Sequence, residues 1–122
     1  MTDIAFAPEQ EWAYDTRPED TGSTLVIGKI EPLPHVRVIH IHVKGANIRN
    51  PRAPGGVSHA LGHMPISEEA LRRSVTRLVG PAAVDAAFTG GYEQWVRNEG
   101  GVFTISVREA IGYLEGAINT KQ

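Results

Sequence analysis

The sequence predicts a single α+β domain, with a small, mainly antiparallel sheet of three or four strands and helices packed on one face. Residues 36–44 alternate between apolar and polar side chains, as a half-buried strand does. Two segments that begin at Ser67 and Ser106 carry apolar side chains at helical spacing. The 122 residues are one domain, because two separate cores would each be too small to fold.

The first two strands are expected to form a hairpin. Residues 1–23 are polar and rich in turn formers, with Trp12 and Tyr14 as anchors onto the core. Residues 24–30 form a nearly continuous β-branched and apolar run, and two prolines separate this run from residues 36–44. In the second strand the side chains alternate between two sets, with Ile39, Ile41 and Val43 on the core face and His40, His42 and Lys44 on the other.

Residues 45–65 are predicted to form one long loop. The segment holds four glycines and three prolines and shows no apolar periodicity. A loop of this length inside a compact domain is unusual, and it is either functional or disordered.

The first helix is expected to start after Ser67, with Glu68 and Glu69 at its positive end, and to run as far as Gly80. Its buried stripe would contain Leu71, Val75, Leu78 and Val79.

Two further helices and a short strand complete the predicted fold. A second helix covers residues 82–88 and is broken by Thr89-Gly90-Gly91. A strand at residues 102–105 precedes the last helix, which opens with a capping box of Ser106 and Glu109. The aromatic side chains of this half of the chain are assigned to the core; they are Phe88, Tyr92, Trp95, Phe103 and Tyr113.

Charge is distributed unevenly along the chain. The net charge is −2, which argues against general nucleic-acid binding. Residues 1–31 hold seven acidic side chains against two basic ones, whereas residues 32–67 hold four basic side chains, all five histidines and no acid. A ligand-binding site is therefore expected within residues 32–67.

The cellular setting follows from what the sequence lacks. With no cysteine, the chain has no disulfides, no thiolate nucleophile and no Cys-ligated metal. It shows neither a signal-peptide pattern nor an apolar run near the ~20 residues of a membrane helix. We expect a cytoplasmic protein without a membrane segment.

The leading functional hypothesis is a small cytosolic binding or partner-interaction protein without a cofactor. Arginine side chains flanking Asn50-Pro51 offer guanidinium groups to an anion, and nearby histidines add donors. The ligand would be an anionic small molecule or an acidic protein surface. Its predicted binding residues are Arg49, Arg52, His40, His42, His59 and His63. The alternative for the arginines is charge pairing with the acidic residues of 1–31.

Two other functions remain open from the sequence. His40 and His42 on a strand, with His59 and His63 on a helical turn, have the spacing of zinc or another divalent transition metal site. This alternative is a histidine-ligated metal-dependent hydrolase or an acid–base enzyme, although no carboxylate lies in the segment. The other alternative is a structural homodimer subunit without catalysis, because so small a sheet leaves an edge to cover.

Overall fold

The computed structural model describes residues 5–120 and has five strands and three helices. The strands are β1 (Gln10–Tyr14), β2 (Thr24–Pro32), β3 (Arg37–Arg49), β4 (Val57–Ser67) and β5 (Val75–Pro81). The helices are α1 (Glu68–Ser74), α2 (Ala86–Arg97) and α3 (Val107–Thr120), and two 3₁₀ turns cover Pro18–Asp20 and Pro54–Gly56. Among the described residues, no helix has the length and apolar character needed to cross a membrane.

The strands form one antiparallel sheet in the order β4-β3-β2-β1-β5. The α+β class is confirmed, but the sheet has five strands where three or four were predicted. The β2–β3 hairpin is also confirmed, with Ile30 opposite Ile39. One additional strand, β1, lies within the segment that was expected to be polar connection, and its Trp12 and Tyr14 are buried.

The predicted loop at residues 45–65 is wrong, because most of it belongs to strands. β3 continues to Arg49, which pairs with Val57 at the start of β4. Register shifts interrupt this ladder, and Gly45 adopts a φ of 76° at one of them. Bulges of this kind destroy the two-residue period on which strand prediction depends. Pro65 is tolerated because β4 is an edge strand.

The first helix is capped as predicted but is shorter. Ser67 Oγ accepts a hydrogen bond from the Ala70 backbone N–H at 3.2 Å. The helix ends at Ser74, and the following residues form β5, which pairs with β1. Val75 and Val79 fit either structure by spacing, and pairing with β1 selects the strand.

Two further elements differ from the prediction: α2 and the strand predicted at residues 102–105. α2 begins after Asp85 and runs through Thr89-Gly90-Gly91, where a break was predicted. The strand expected at residues 102–105 is reduced to one parallel bridge between Phe103 and Ile66. The capping box of α3 is confirmed, because Glu109 N–H donates to Ser106 Oγ at 3.2 Å.

Helices contact both faces of the sheet, so packing on a single face is not confirmed. Ile39, Ile41 and Val43 are fully buried in a cluster with side chains of α1 and α3. α2 lies on the other face, where Tyr92 and Trp95 contact His40. Of the aromatic side chains assigned to the core, Phe88 is buried and Phe103 packs partly buried against the core cluster. The assignment is wrong for Tyr113, which is 65% exposed, and for Tyr92 and Trp95, which are half-buried outside that cluster.

Candidate functional site

A chain of hydrogen bonds joins three side chains beneath α2: Glu31, His40 and His63, called here the histidine relay. Lys29 lies opposite His40 in the β2–β3 ladder, so Glu31, two positions further along β2, is a diagonal neighbour on the same face. His40 Nε2 lies 3.1 Å from Glu31 Oε1, and His40 Nδ1 lies 2.8 Å from His63 Nε2. The relay therefore runs without interruption from β2 through β3 to β4.

The carboxylate at one end of the relay determines which ring nitrogens carry protons. Because Glu31 accepts, His40 Nε2 is the protonated nitrogen and His40 Nδ1 is an acceptor. His63 Nε2 then donates to His40 Nδ1, which leaves His63 Nδ1 unprotonated. No described residue hydrogen-bonds that nitrogen, and it is not buried. The relay thus ends in an accessible acceptor.

The aromatic side chains of α2 fix the relay in place. The Tyr92 hydroxyl donates to Glu31 Oε1 at 3.1 Å, so this oxygen accepts from both Tyr92 and His40. The Trp95 ring meets His40 edge to face, and Trp95 Nε1 donates to the Gly101 carbonyl at 2.8 Å. Both aromatic side chains are thus oriented by hydrogen bonds as well as by packing.

Burial under α2 keeps both imidazoles of the relay neutral at pH 7. Burial lowers the pKa of His40, although its contact with Glu31 acts in the opposite direction. Burial also lowers the pKa of His63 to about 4, and the charge of a protonated His40 would lower it further. The pKa of the Tyr92 hydroxyl is raised, first by burial and then by Glu31, so it remains a donor.

His63 opens into a groove between α2 and β4, called here the α2 groove. Its polar and aromatic lining consists of His63, Gln94, Trp95 and Asn98, and the rest is glycine and alanine. None of the described residues that line it is Asp, Glu, Lys or Arg. The α2 groove is therefore an uncharged surface with one fixed hydrogen-bond acceptor.

Glycines allow α2 to approach the sheet closely enough to cover the relay. A Cβ on Gly91 would lie 2.7 Å from the Cβ of His63, and one on Gly28 would overlap the Phe88 ring. At Gly90, one position earlier, a Cβ would meet open space. The Gly90-Gly91 pair, interpreted from sequence as a helix break, instead contains a close-contact position inside a helix.

The structure brings together only part of the predicted histidine set. His40 and His63 contact each other, and His42 lies beside them with its Nδ1 3.2 Å from the Gly62 carbonyl oxygen. His59 is exposed, and its Nδ1 lies 3.1 Å from the Ala46 carbonyl oxygen. Within residues 5–120, no three or more His, Asp or Glu side chains are arranged to hold a metal ion. The spacing that suggested a metal site thus does not produce a ligand set there.

The predicted arginines lie at the other end of the β3–β4 hairpin. Arg49 N–H donates to Glu115 Oε2 of α3 at 2.7 Å, and Arg52 lines a second groove with Leu114 and Ile118. At about 3.3 Å per strand residue, Arg49 lies up to about 30 Å along β3 from His40. A single small ligand therefore cannot contact His40 and these arginines together, whereas His59 lies near the arginine end of the hairpin.

Three site residues were missed because each was assigned to another role. Glu31 was placed in the connection after the first strand, while Tyr92 and Trp95 were assigned to the core. Extending the hairpin register by two positions would have placed Glu31 beside His40. The hairpin register could thus have predicted the position of the Glu31 carboxylate. No comparable sequence pattern predicts where α2 packs on the sheet.

Comparisons with protein-family models, curated proteins and solved structures found no match to this chain. The function is therefore inferred from the chemistry of the site. The site combines an uncharged groove, an oriented indole ring and a neutral imidazole whose free nitrogen accepts hydrogen bonds. Such a surface can recognise a donor group and can accept a proton from it.

Proposed function

We propose that this chain binds a small, uncharged, polar molecule in the α2 groove. The observation that carries this proposal is His63, whose Nδ1 is left as an acceptor because Nε2 donates to His40. A ligand hydroxyl or amide N–H would donate to this nitrogen. The side-chain amides of Gln94 and Asn98 supply further donors and acceptors, and Trp95 offers an apolar contact for a ring.

Charge selects against ionic ligands in the α2 groove. A charged group that gives up part of its hydration at this surface, without meeting an opposite charge, is penalised. None of the described lining residues is an opposite partner, and the lowered pKa of His63 keeps its ring neutral at pH 7. A neutral ligand loses less on entering, so the α2 groove favours uncharged molecules over their ionised relatives.

The matched pair of benzamide and benzoate tests this selection. We expect benzamide to shift the NMR signals of the Trp95 indole and the His63 ring in a saturable titration, and benzoate to leave them unchanged. His63→Gln should abolish the benzamide response, whereas Arg77→Ala, at an exposed position of β5, should not alter it. Equal responses to both compounds would refute an uncharged binding site.

A second candidate function is anion or acidic-surface binding at the tip of the β3–β4 hairpin. No described residue accepts a hydrogen bond from the guanidinium group of Arg49 or Arg52. Arg52 and Asn50 also line a groove whose apolar wall is formed by Leu114 and Ile118. A carboxylate attached to an apolar group would pair with an arginine and contact that wall.

The double variant Arg49→Ala/Arg52→Ala tests this second site. We expect benzoate to shift backbone signals around Asn50 in the native protein and to lose this effect in the double variant. Arg77→Ala removes one positive charge at an exposed position of β5 and is the control. Unchanged benzoate binding in the double variant would exclude these arginines as the anion site.

A further inference from the structure

We propose that the α2 groove is catalytic, and that the histidine relay removes a proton from the bound molecule and delivers it to Glu31. This inference rests on the proposed binding function and adds a reaction to it. The reaction class is general-base proton abstraction from an uncharged substrate. His63 is the catalytic residue, because it touches the substrate, and His40 and Glu31 carry the proton onward.

The relay provides a continuous path for that proton. The substrate proton moves to His63 Nδ1 while the proton on His63 Nε2 moves to His40 Nδ1, across 2.8 Å. The proton on His40 Nε2 then moves to Glu31 Oε1, across 3.1 Å. The substrate becomes an anion and Glu31 becomes neutral, so charge is conserved and each imidazole ends neutral in its other tautomer.

Passing the proton onward avoids a charged imidazole inside the protein. Under α2, a proton that stayed on His63 would create a partly buried cation next to the Phe88 and Trp95 rings and next to His40. Lys29 faces the same region, with its Nζ 5.5 Å from the centre of the Tyr92 ring, and would oppose a cation further. Transfer through both rings places the proton on Glu31, the carboxylate that contacts His40.

Glu31 is suited to be the terminal acceptor because it reaches both the relay and the solvent. Its side chain is 29% exposed, whereas that of His40 is fully buried. A proton delivered to Glu31 can therefore pass to water and reset the relay. Tyr92 donates to the same oxygen and holds the carboxylate in line with His40. Tyr92 is accordingly a positioning residue.

The probe for this activity is 5-nitrobenzisoxazole, an uncharged planar molecule. A base removes the proton on C3, the ring N–O bond breaks, and the coloured 2-cyano-4-nitrophenolate forms without any oxidant or reductant. We expect saturable turnover about 100-fold faster than the reaction in buffer without protein. His63→Gln should reduce that rate by about 100-fold or more, and His35→Gln, which alters an exposed histidine, should not.

Glu31→Gln separates a proton relay from a lone imidazole base. Glutamine can still accept hydrogen bonds from His40 and Tyr92 but cannot take up a proton. We expect turnover to fall at least about 10-fold. We also expect the dependence of rate on D₂O fraction to change from curved to linear, as fewer protons move together. A variant that keeps both the rate and the curved dependence would overturn the relay.

Binding is measured separately with 5-nitroindazole, in which N–H replaces the ring oxygen and no elimination occurs. Binding to the native protein and to Glu31→Gln, with turnover only in the native protein, supports the relay. Binding without turnover in either protein overturns the catalytic inference and leaves the binding function intact. Failure of the native protein to bind 5-nitroindazole, with no turnover, contradicts both proposals.

Discussion

The two faces of strand β3 are held by different kinds of interaction. On one face, Ile39, Ile41 and Val43 are fully buried against α1 and α3 in an aliphatic cluster. On the other face, His40 is equally buried, but it is held by two hydrogen bonds and by aromatic rings of α2. The same strand thus supplies both a stabilising surface and a chemically specific one.

This difference predicts different responses to substitution. Apolar burial is non-directional, so the aliphatic face should depend mainly on the volume of its side chains. The histidine face depends on each donor meeting its acceptor, and a buried polar atom left without a partner is costly. We therefore expect the aliphatic face to control stability and the histidine face to control ligand binding and pH response.

The largest expected effect belongs to the aliphatic face. Ile41→Ala should lower the free energy of unfolding by about 2–5 kcal/mol, because it deletes buried methyl groups and leaves a cavity. Urea denaturation followed by circular dichroism measures this loss. Val96→Ala, at a site on α2 that is 49% exposed, is the control and should cost less than about 0.5 kcal/mol. A loss below about 1 kcal/mol for Ile41→Ala would contradict the expectation that the aliphatic face controls stability.

The histidine face should make the protein less stable as pH falls from about 6.5 to 4. The folded-state pKa of His63 is about 4, below the ordinary value of 6.5, so the unfolded chain binds more protons in this range. Stability is therefore fully retained above pH 6.5 and decreases toward pH 4, by about 1–3 kcal/mol for a half-buried ring. The pKa of His40 is also lowered and acts in the same direction.

Denaturation of the native protein and His63→Gln at pH 7, 5.5 and 4.5 measures this dependence. The variant should lose less stability over that interval than the native protein. The lowered pKa values of Glu11 and Glu115 also cause acid destabilisation, but only as pH falls below their ordinary 4.5. Parallel curves for the two proteins would show that His63 does not carry the effect.

Alanine substitutions at the two neighbouring glycines of α2 should change stability in opposite directions, by less than the two effects above. Gly91→Ala should destabilise by about 1–2 kcal/mol, because the added carbon would lie 2.7 Å from the Cβ of His63. Gly90→Ala meets open space and should stabilise by up to about 1 kcal/mol through helix propensity. Thermal unfolding of both variants measures the difference, and equal shifts would contradict close packing of α2.

The elements that were predicted correctly from the sequence depend on local interactions. The β2–β3 hairpin, the Ser67 cap and the Ser106–Glu109 capping box each involve residues close together in the chain. The sequence did not reveal β5, because the spacing of Val75 and Val79 fits a helix or a strand. Only β1, some 60 residues earlier, decides between them.

The site was predicted in part for the same reason. His40 and His63 were identified from their clustering in an acid-free segment, and the structure brings them into contact. Glu31, Tyr92 and Trp95 come from β2 and α2, and their contact with His40 depends on hairpin register and helix placement. Clustering along the chain shows which residues are close in sequence, but it does not show which residues of other elements will contact them.

The smallest expected effect concerns the helix caps on the two faces. Asp85 accepts hydrogen bonds from the backbone N–H groups of Ala87 and Phe88 at 3.1 and 3.3 Å, and Ser106 caps α3 in the same way. Asp85→Ala and Ser106→Ala should each cost about 1 kcal/mol. Asp85→Asn, which keeps a capping oxygen, should retain most of the stability that Asp85→Ala loses.

The two cap variants should differ in what they do to the α2 groove. Losing the Asp85 cap frays the first turn of α2, which carries Phe88 against Gly28 and Ala87 against Gly62. We therefore expect Asp85→Ala to change Trp95 fluorescence and to weaken benzamide binding, whereas Ser106→Ala should leave both unchanged at equal loss of stability. If both variants changed Trp95 fluorescence equally, the α2 groove would respond to overall stability and not to the placement of α2 in particular. If only Asp85→Ala changed Trp95 fluorescence and benzamide binding, the placement of α2 on the sheet would determine binding in the α2 groove.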